Sequence, residues 1–183
     1  MMLTMRTARE EGFSLVFPLM ERSFPPTERR TEKGQRALLD HPCYSYRILE
    51  DEEGTFLGFL AVWDLGEFRF VEHFAVNEKA RGKGIGGRAL QMWMEESDTP
   101  AVLEVELPET EIARRRIGFY QRMGMYLNDF SYIQPAMQEG QPPIPLQIMS
   151  WPKPISKEIF TPWQKILYRE VYEAGKKGES LSH

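Results

Sequence analysis

A glycine-rich turn caught between a strand-like run and a helix-like run constrains this chain more than any other stretch. Phe68 to Met94 reads FRFVEHFAVNEKARGKGIGGRALQMWM. Its first nine residues, Phe68 to Val76, are β-branched or aromatic at most positions and contain no Gly or Pro, which predicts a largely buried strand. Ile85, Ala89 and Trp93, interleaved with Gly86, Leu90 and Met94, repeat at helical spacing. Between them, Arg81-Gly82-Lys83-Gly84-Ile85-Gly86-Gly87 can present several backbone N–H groups at once, because glycine has no Cβ to block an approaching group. Unpaired amides at a helix N-terminus, with the positive end of the helix dipole behind them, form an anion site suited to phosphate. Arg81 and Lys83 add full charges there.

Two phosphate-binding architectures compete for this turn. Gly82-Lys-Gly84-Ile-Gly86-Gly87 contains a formal GxGxxG, and Glu104 or Glu106 follows at the distance a dinucleotide fold requires. That fold, however, places its first glycine directly after the strand, whereas Asn77-Glu-Lys-Ala-Arg81 intervenes here. Beyond Glu106 there is one clear helix before a proline-rich stretch, too little for the remaining βαβ units. A Walker loop is absent, since no GxxxxGK[ST] occurs. A nicotinamide-dependent oxidoreductase therefore survives only through the GxGxxG match.

Arg81-x-x-Gly84-x-Gly86, preceded by Ala75-Val76 and an Asn77-x-x-x-Arg81 connector, resembles the R/Q-x-x-G-x-G/A loop of the GNAT superfamily of N-acetyltransferases. A second stretch, Ala113-Arg-Arg-Arg-Ile-Gly-Phe119-Tyr120-Gln-Arg-Met-Gly124-Met125, is similar to that family's A-x-x-x-Y-x-x-x-G-F region. The resemblance implies an α/β (α+β) fold: a mixed central sheet of about six or seven strands flanked by helices, over residues 1–151, with 152–183 as a helical extension packed on the same domain. It also implies acetyl-CoA as co-substrate, with its pantetheine arm along Phe74, Ala75 and Val76 and its pyrophosphate at Arg81, Gly82, Lys83, Gly84, Ile85, Gly86 and Gly87. The helix carrying Arg116 and Phe119 would run beside the nucleotide, although Phe119 is also explained by packing. Arg114, Arg115 and Arg122 compete with Arg116 for the 3′-phosphate.

Acetyl transfer from a thioester to an amine needs a base, support for the thioester oxygen and a proton for the departing thiolate. Val76 N–H is the implied oxygen donor. Tyr120 aligns with the family's tyrosine and is the candidate acid, its alternative being an ordinary core tyrosine. Glu72 is the candidate base: strict alternation puts it on one strand face with Phe68, Phe70, Phe74 and Val76, and puts His73 on the other. A carboxylate in an apolar column is equally the signature of a buried ion pair with an arginine from a neighbouring helix. Direct attack in a ternary complex is expected, because Cys43 lies far from both motifs and no other nucleophile suggests a covalent intermediate. A coenzyme-binding sensor without turnover is the alternative.

The remaining sequence bounds these readings. With 183 residues and 42% hydrophobic content the chain suits one core. A net charge of -4 argues against general nucleic-acid binding and leaves amine-bearing small molecules or peptides as acceptors. One cysteine and three scattered histidines supply no metal-ligand spacing, so no metal is expected. The opening MMLTMRTAREEG lacks a signal-peptide core and no run approaches a membrane span, so a cytoplasmic protein is expected.

In order, the chain reads as a strand at Met1 to Thr7, a helix at Glu11 to Arg22 and a less buried helix within Thr27 to Leu39. A hairpin follows, Tyr44 to Glu50 with Thr55 to Trp63, then the glycine-loop unit. Ala101 to Leu107 reads as a fifth strand, Thr110 to Arg122 as a helix, and Met125 to Ile133 with Pro145 to Trp151 as the last two strands. Thr161-Pro162-Trp163-Gln164 carries the signals of a helix start and Gly175 those of a stop, giving a terminal helix that covers the sheet or meets a second copy in a homodimer. In the family this chain resembles, the segment joining the first two helices overhangs the acceptor site, which implies substrate contacts in Glu21 to Arg30.

Overall fold

Eight strands share one sheet in the computed structural model, which describes residues 2–173. The strands are β1 (Thr4–Ala8), β2 (Tyr44–Glu50), β3 (Phe56–Asp64), β4 (Arg69–Val76), β5 (Ala101–Glu106), β6 (Tyr126–Leu127), β7 (Tyr132–Gln134) and β8 (Ile144–Trp151). Their order is β1-β2-β3-β4-β5-β8-β6, with β7 also paired to β8. Only β4 and β5 run parallel. The stretch expected as one strand, Met125 to Ile133, is two short ones, which makes the sheet larger than expected. Asn128 lies between them: its buried carboxamide donates to Ile148 O and Ser150 Oγ and accepts from Ile155 N–H.

The helices are α1 (Phe13–Ser23), α2 (Glu32–Ala37), α3 (Ile85–Met94), α4 (Glu111–Arg122) and α5 (Lys157–Leu167). Phe13, Val16, Phe17 and Met20 are all buried, as their spacing requires. These side chains and those of α5 cover one sheet face, in a core that includes Tyr44, Tyr46, Phe59, Trp63, Phe68 and Phe70. The other face carries α3 and α4, whose Ile85, Ala89, Leu90, Trp93 and Ile117 pack on Leu60, Val62, Val71 and Leu103.

The terminal helix begins one turn before the Thr-Pro signal. Ser156 caps it by accepting from Ile159 N–H, so Pro162 falls inside the helix instead of at its first position. Its buried stripe, Phe160, Trp163 and Leu167, joins the same core as α1. The chain then continues as a π-helical turn over Tyr168–Glu173, burying Val171 and Tyr172. The stop expected at Gly175 lies outside the described residues, as does Met1 of the expected first strand.

Candidate active site

The sheet opens into a cleft where β4 and β5 part. They pair at Arg69↔Ala101, Phe70↔Val102 and Val71↔Leu103, and no further. The cause lies on the opposite edge of β4. Its register with β3 runs Ala61↔His73 and then Val62↔Val71, so Glu72 is an extra residue with no opposite number. Such a bulge bends the strand and raises its local twist, carrying residues 72–76 away from β5. Arg69 anchors the paired root: its guanidinium donates to the carbonyls of Trp93, Met94, Ser97 and Thr99, closing the C-terminal end of α3.

The bulge also resets which way the side chains point, and the strict alternation assumed for β4 fails there. Phe68, Phe70 and Ala75 belong to the α1/α5 side, whereas Val71, Phe74 and Val76 belong to the α3/α4 side. Glu72 and His73 both turn to the α1/α5 side. Glu72 Oε1 accepts from the Trp63 indole N–H at 2.9 Å, and Oε2 pairs with Arg30 Nη1 at 2.7 Å. The Glu72 and Arg30 side chains are only 2% and 1% exposed, so what Glu72 shows the cleft is main chain. Of the two alternatives read from the sequence, the geometry is that of the buried ion pair. His73 Nε2 lies 2.7 Å from Glu28 O, and since a carbonyl can only accept, that nitrogen carries the proton. Burial pushes the His73 imidazole below its usual range.

The gap between the strands is a cleft of about 910 Å³. Its β4 wall leaves main-chain groups unspent. Asn77 N–H bonds Leu57 O, so residues 77 and 57 form a hydrogen-bonded pair, and alternation turns the N–H groups of Val76 and Phe74 toward β5. With β5 splayed away, these amides face the cleft. At the end of β4 the chain makes a short 3₁₀ turn, Glu78–Ala80, and enters the glycine loop. Gly84, the residue before α3, has φ +72°, a left-handed conformation that side-chain-bearing residues adopt at a cost. Arg81 Nε donates to Val76 O at 3.2 Å, tying the loop to the strand. Gly86 lies against Phe74 and Gly87 against Met123.

On the opposite wall, Tyr120 and Arg116 of α4 line the cleft with Ala113 and Thr110. Thr110 caps α4 by accepting from Ala113 N–H, which fixes where the helix begins. Burial pushes the Tyr120 phenol up, so it holds its proton at neutral pH. Arg116 pairs loosely with Glu106 at 3.5 Å, both largely exposed. Phe119 stands edge-on to Tyr120 at 5.3 Å and packs beside Gly87, not in the cleft. Thus Phe74, Ala75, Val76, Arg81, Arg116, Tyr120 and the main chain of Glu72 line one cavity, while Gly82, Lys83, Gly84, Ile85, Gly86 and Gly87 sit beyond its wall, where β4 turns into α3. Arg114 and Arg115 are exposed on α4, with Arg115 paired to Glu111.

Sequence reasoning alone does not single out one further carboxylate as a base. Glu104, on β5 across the cleft from β4, accepts from Tyr132 Oη, from Gln134 Nε2 at 3.1 Å and from Tyr172 Oη at 2.6 and 2.7 Å. Burial raises its pKa to about 7, against the three donors, which lower it; the Glu72 charge adds a smaller push upward. A signal exists: Glu104 and Glu106 alternate with the apolar Leu103 and Val105, the same kind of argument that draws attention to Glu72. Its partners, 28, 30 and 68 positions away, have no local signature. Glu28, on the connector between α1 and α2, also lines the cleft; burial and the nearby Glu106 charge raise its carboxyl above the usual range, and Arg116 opposes them. Among the described residues no group of three or more acidic, histidine or cysteine side chains is placed to hold a metal ion, and no helix is long and apolar enough to cross a membrane.

A mostly antiparallel sheet, split between its two parallel strands and closed at the split by a glycine loop and helix N-terminus, defines an acetyltransferase-type fold. The chain belongs to the acetyltransferase (GNAT) family, whose pattern it matches over residues 9–125. A structure from Bacteroides thetaiotaomicron named "Putative acetyltransferase from GNAT family" superposes with a TM-score of 0.85 at 32% identity, covering 92% of this chain and 98% of that one. A point mutant of the spermidine N-acetyltransferase SpeG from Vibrio cholerae shares the fold at a TM-score of 0.61 and 11% identity, over 81% of this chain and 92% of its own. The Bacillus subtilis protein named "Putative acetyltransferase YjbC" is 31% identical over 101 residues, which are 54% of this chain and 50% of that protein. The chain thus spans about half the length of that curated relative.

Proposed function

We propose that this chain is an N-acetyltransferase that moves an acetyl group from acetyl-CoA to a primary amine by direct attack in a ternary complex. The observation that carries the reading is the parting of β4 from β5 after Val71↔Leu103, which leaves the Phe74 and Val76 amides facing the cleft, with the Gly84 turn beyond its wall. A pantetheine chain carries amide groups able to pair with such an edge, and a pyrophosphate suits the α3 N-terminus. When bound, the coenzyme supplies an acetyl group activated as a thioester.

The chain's own groups divide by cleft wall. Val76 N–H supports the thioester oxygen as charge develops on it. Tyr120, still protonated, donates to the departing sulfur. Glu104 takes the proton from the attacking amine, its pKa of about 7 lying close to working pH. Glu72 serves as a structural support, since Arg30 neutralises its carboxylate at 2.7 Å and only its main chain faces the cleft. Glu28, Glu104 and Glu106 line the cleft and suit an acceptor that arrives as an ammonium ion.

The test is release of free thiol from acetyl-CoA across a panel of amines, with titrations of coenzyme A and NADH beside it. Coenzyme binding with acceptor-dependent thiol release is expected. Coenzyme binding without release for any amine would favour a sensor domain, and NADH binding without coenzyme A binding would overturn the reading.

A further inference from the structure

The π-helical turn Tyr168–Glu173 lies outside residues 9–125, the part of the chain that carries the family pattern, yet it contacts Glu104, a residue that lines the cleft. A regular helix rotates consecutive residues by about 100°. Here the widened turn buries the neighbours Val171 and Tyr172 together, and such turns recur at functional sites. Val171 O accepts from Arg30 Nη2 at 3.0 Å, the arginine that holds Glu72. Tyr172 Oη touches both Glu104 oxygens. Tyr132 and Gln134 approach the same carboxylate from β7, also outside the family-matched region.

We propose that Tyr172, together with Tyr132, is a positioning residue for acetyl transfer: the two phenols favour the ionised form of the Glu104 carboxylate and fix it at the cleft wall, so that the terminal turn completes the active site. The proposal rests on Glu104 being the base. A carboxylate buried on the apolar side of a sheet would otherwise keep its proton and could not accept one from an ammonium. Hydrogen bonds to the charged form oppose that tendency, and three donors converge on Glu104. The charge of Glu72 on β4 also acts on it and favours the protonated form, while Glu72 is itself paired with Arg30 from the α1–α2 connector. The phenols themselves do not titrate in the working range, because burial and the Glu104 charge push both well above the usual tyrosine value.

The experiment uses the full chain and an amine that supports thiol release, and measures the pH dependence of kcat/KM for wild type, Glu104→Gln, Tyr172→Phe and Tyr168→Phe. Tyr168 shares the turn, but its hydroxyl donates to Ile133 O and not to Glu104, so it reports what merely loosening the turn does. Loss of one phenol donor is expected to move the acidic limb of the Tyr172→Phe profile upward by roughly 0.5–1 pH unit, while the Tyr168→Phe limb stays in place. An infrared titration of the carboxyl band that disappears in Glu104→Gln should move by the same amount without any turnover. If Tyr172→Phe does not fold, Tyr132→Phe makes the same test from β7. A uniform drop in rate with an unmoved limb and an unmoved carboxyl band overturns the proposal and leaves Glu104 as the base. Undiminished turnover in Glu104→Gln overturns the base assignment and the proposal with it.

Discussion

Replacing Arg30 with methionine tests whether Glu72 is a structural ion or a base. The pair is almost wholly out of water, with side chains 1% and 2% exposed and a contact of 2.7 Å. Removing the guanidinium leaves a buried carboxylate that, among the described residues, keeps the Trp63 N–H as its hydrogen-bond donor. Deleting one partner of such a pair costs about 3–5 kcal/mol, because the surviving charge keeps its desolvation penalty and loses the attraction that offset it. For a chain of this size that corresponds to a fall in Tm of roughly 6–20 °C. The double variant Arg30→Met/Glu72→Gln removes both charges and keeps an amide oxygen for Trp63, so it should recover most of the loss. Urea or thermal unfolding of wild type, both single variants and the double variant closes the cycle. A cost below about 1 kcal/mol for Arg30→Met, or a double variant no more stable than the sum of the singles, would refute the reasoning.

Other consequences follow from single contacts. A Cβ on Gly58 would clash with Ala75 O and stand 3.0 Å from Val76 Cα, both main chain. Gly58→Ala should therefore cost about 1–3 kcal/mol and weaken coenzyme binding by pushing β4 into the cleft, as calorimetric titration would show. Tyr120→Phe should slow thiol release by roughly 10²-fold or more with coenzyme affinity little changed; unchanged turnover would remove Tyr120 from the mechanism. Glu104 binds its proton more tightly folded than unfolded, so its contribution to stability is full below its ordinary value of 4.5 and is lost as pH rises through about 7. Tm measured against pH should accordingly fall more steeply for wild type than for Glu104→Gln over that window, by up to about 3 kcal/mol in unfolding free energy.

Local pattern alone determined much of this protein. The 3.6-residue spacing of Phe13, Val16, Phe17 and Met20, the hairpin around Gly54 and the strand, glycine loop and helix of Phe68–Met94 each depend on neighbours within a few positions, and each forms as read. The edge Phe74 to Val76, which the family resemblance implies for the pantetheine arm, is left unpaired by β5. The tertiary structure decided what depends on distant partners. One unmatched residue at Glu72 reverses the facing of everything after it in β4, and no periodicity read along a single strand can reveal a residue missing from its neighbour. The sequence offered Glu72 as either base or ion-pair member; Arg30, 42 positions away, commits it to the pair. Glu104 acquires its chemistry only when Tyr132, Gln134 and Tyr172 converge on it from two separate elements. The charge state of a buried carboxylate is set by how much water the fold removes and how many donors it brings, and both quantities exist only once the chain has closed.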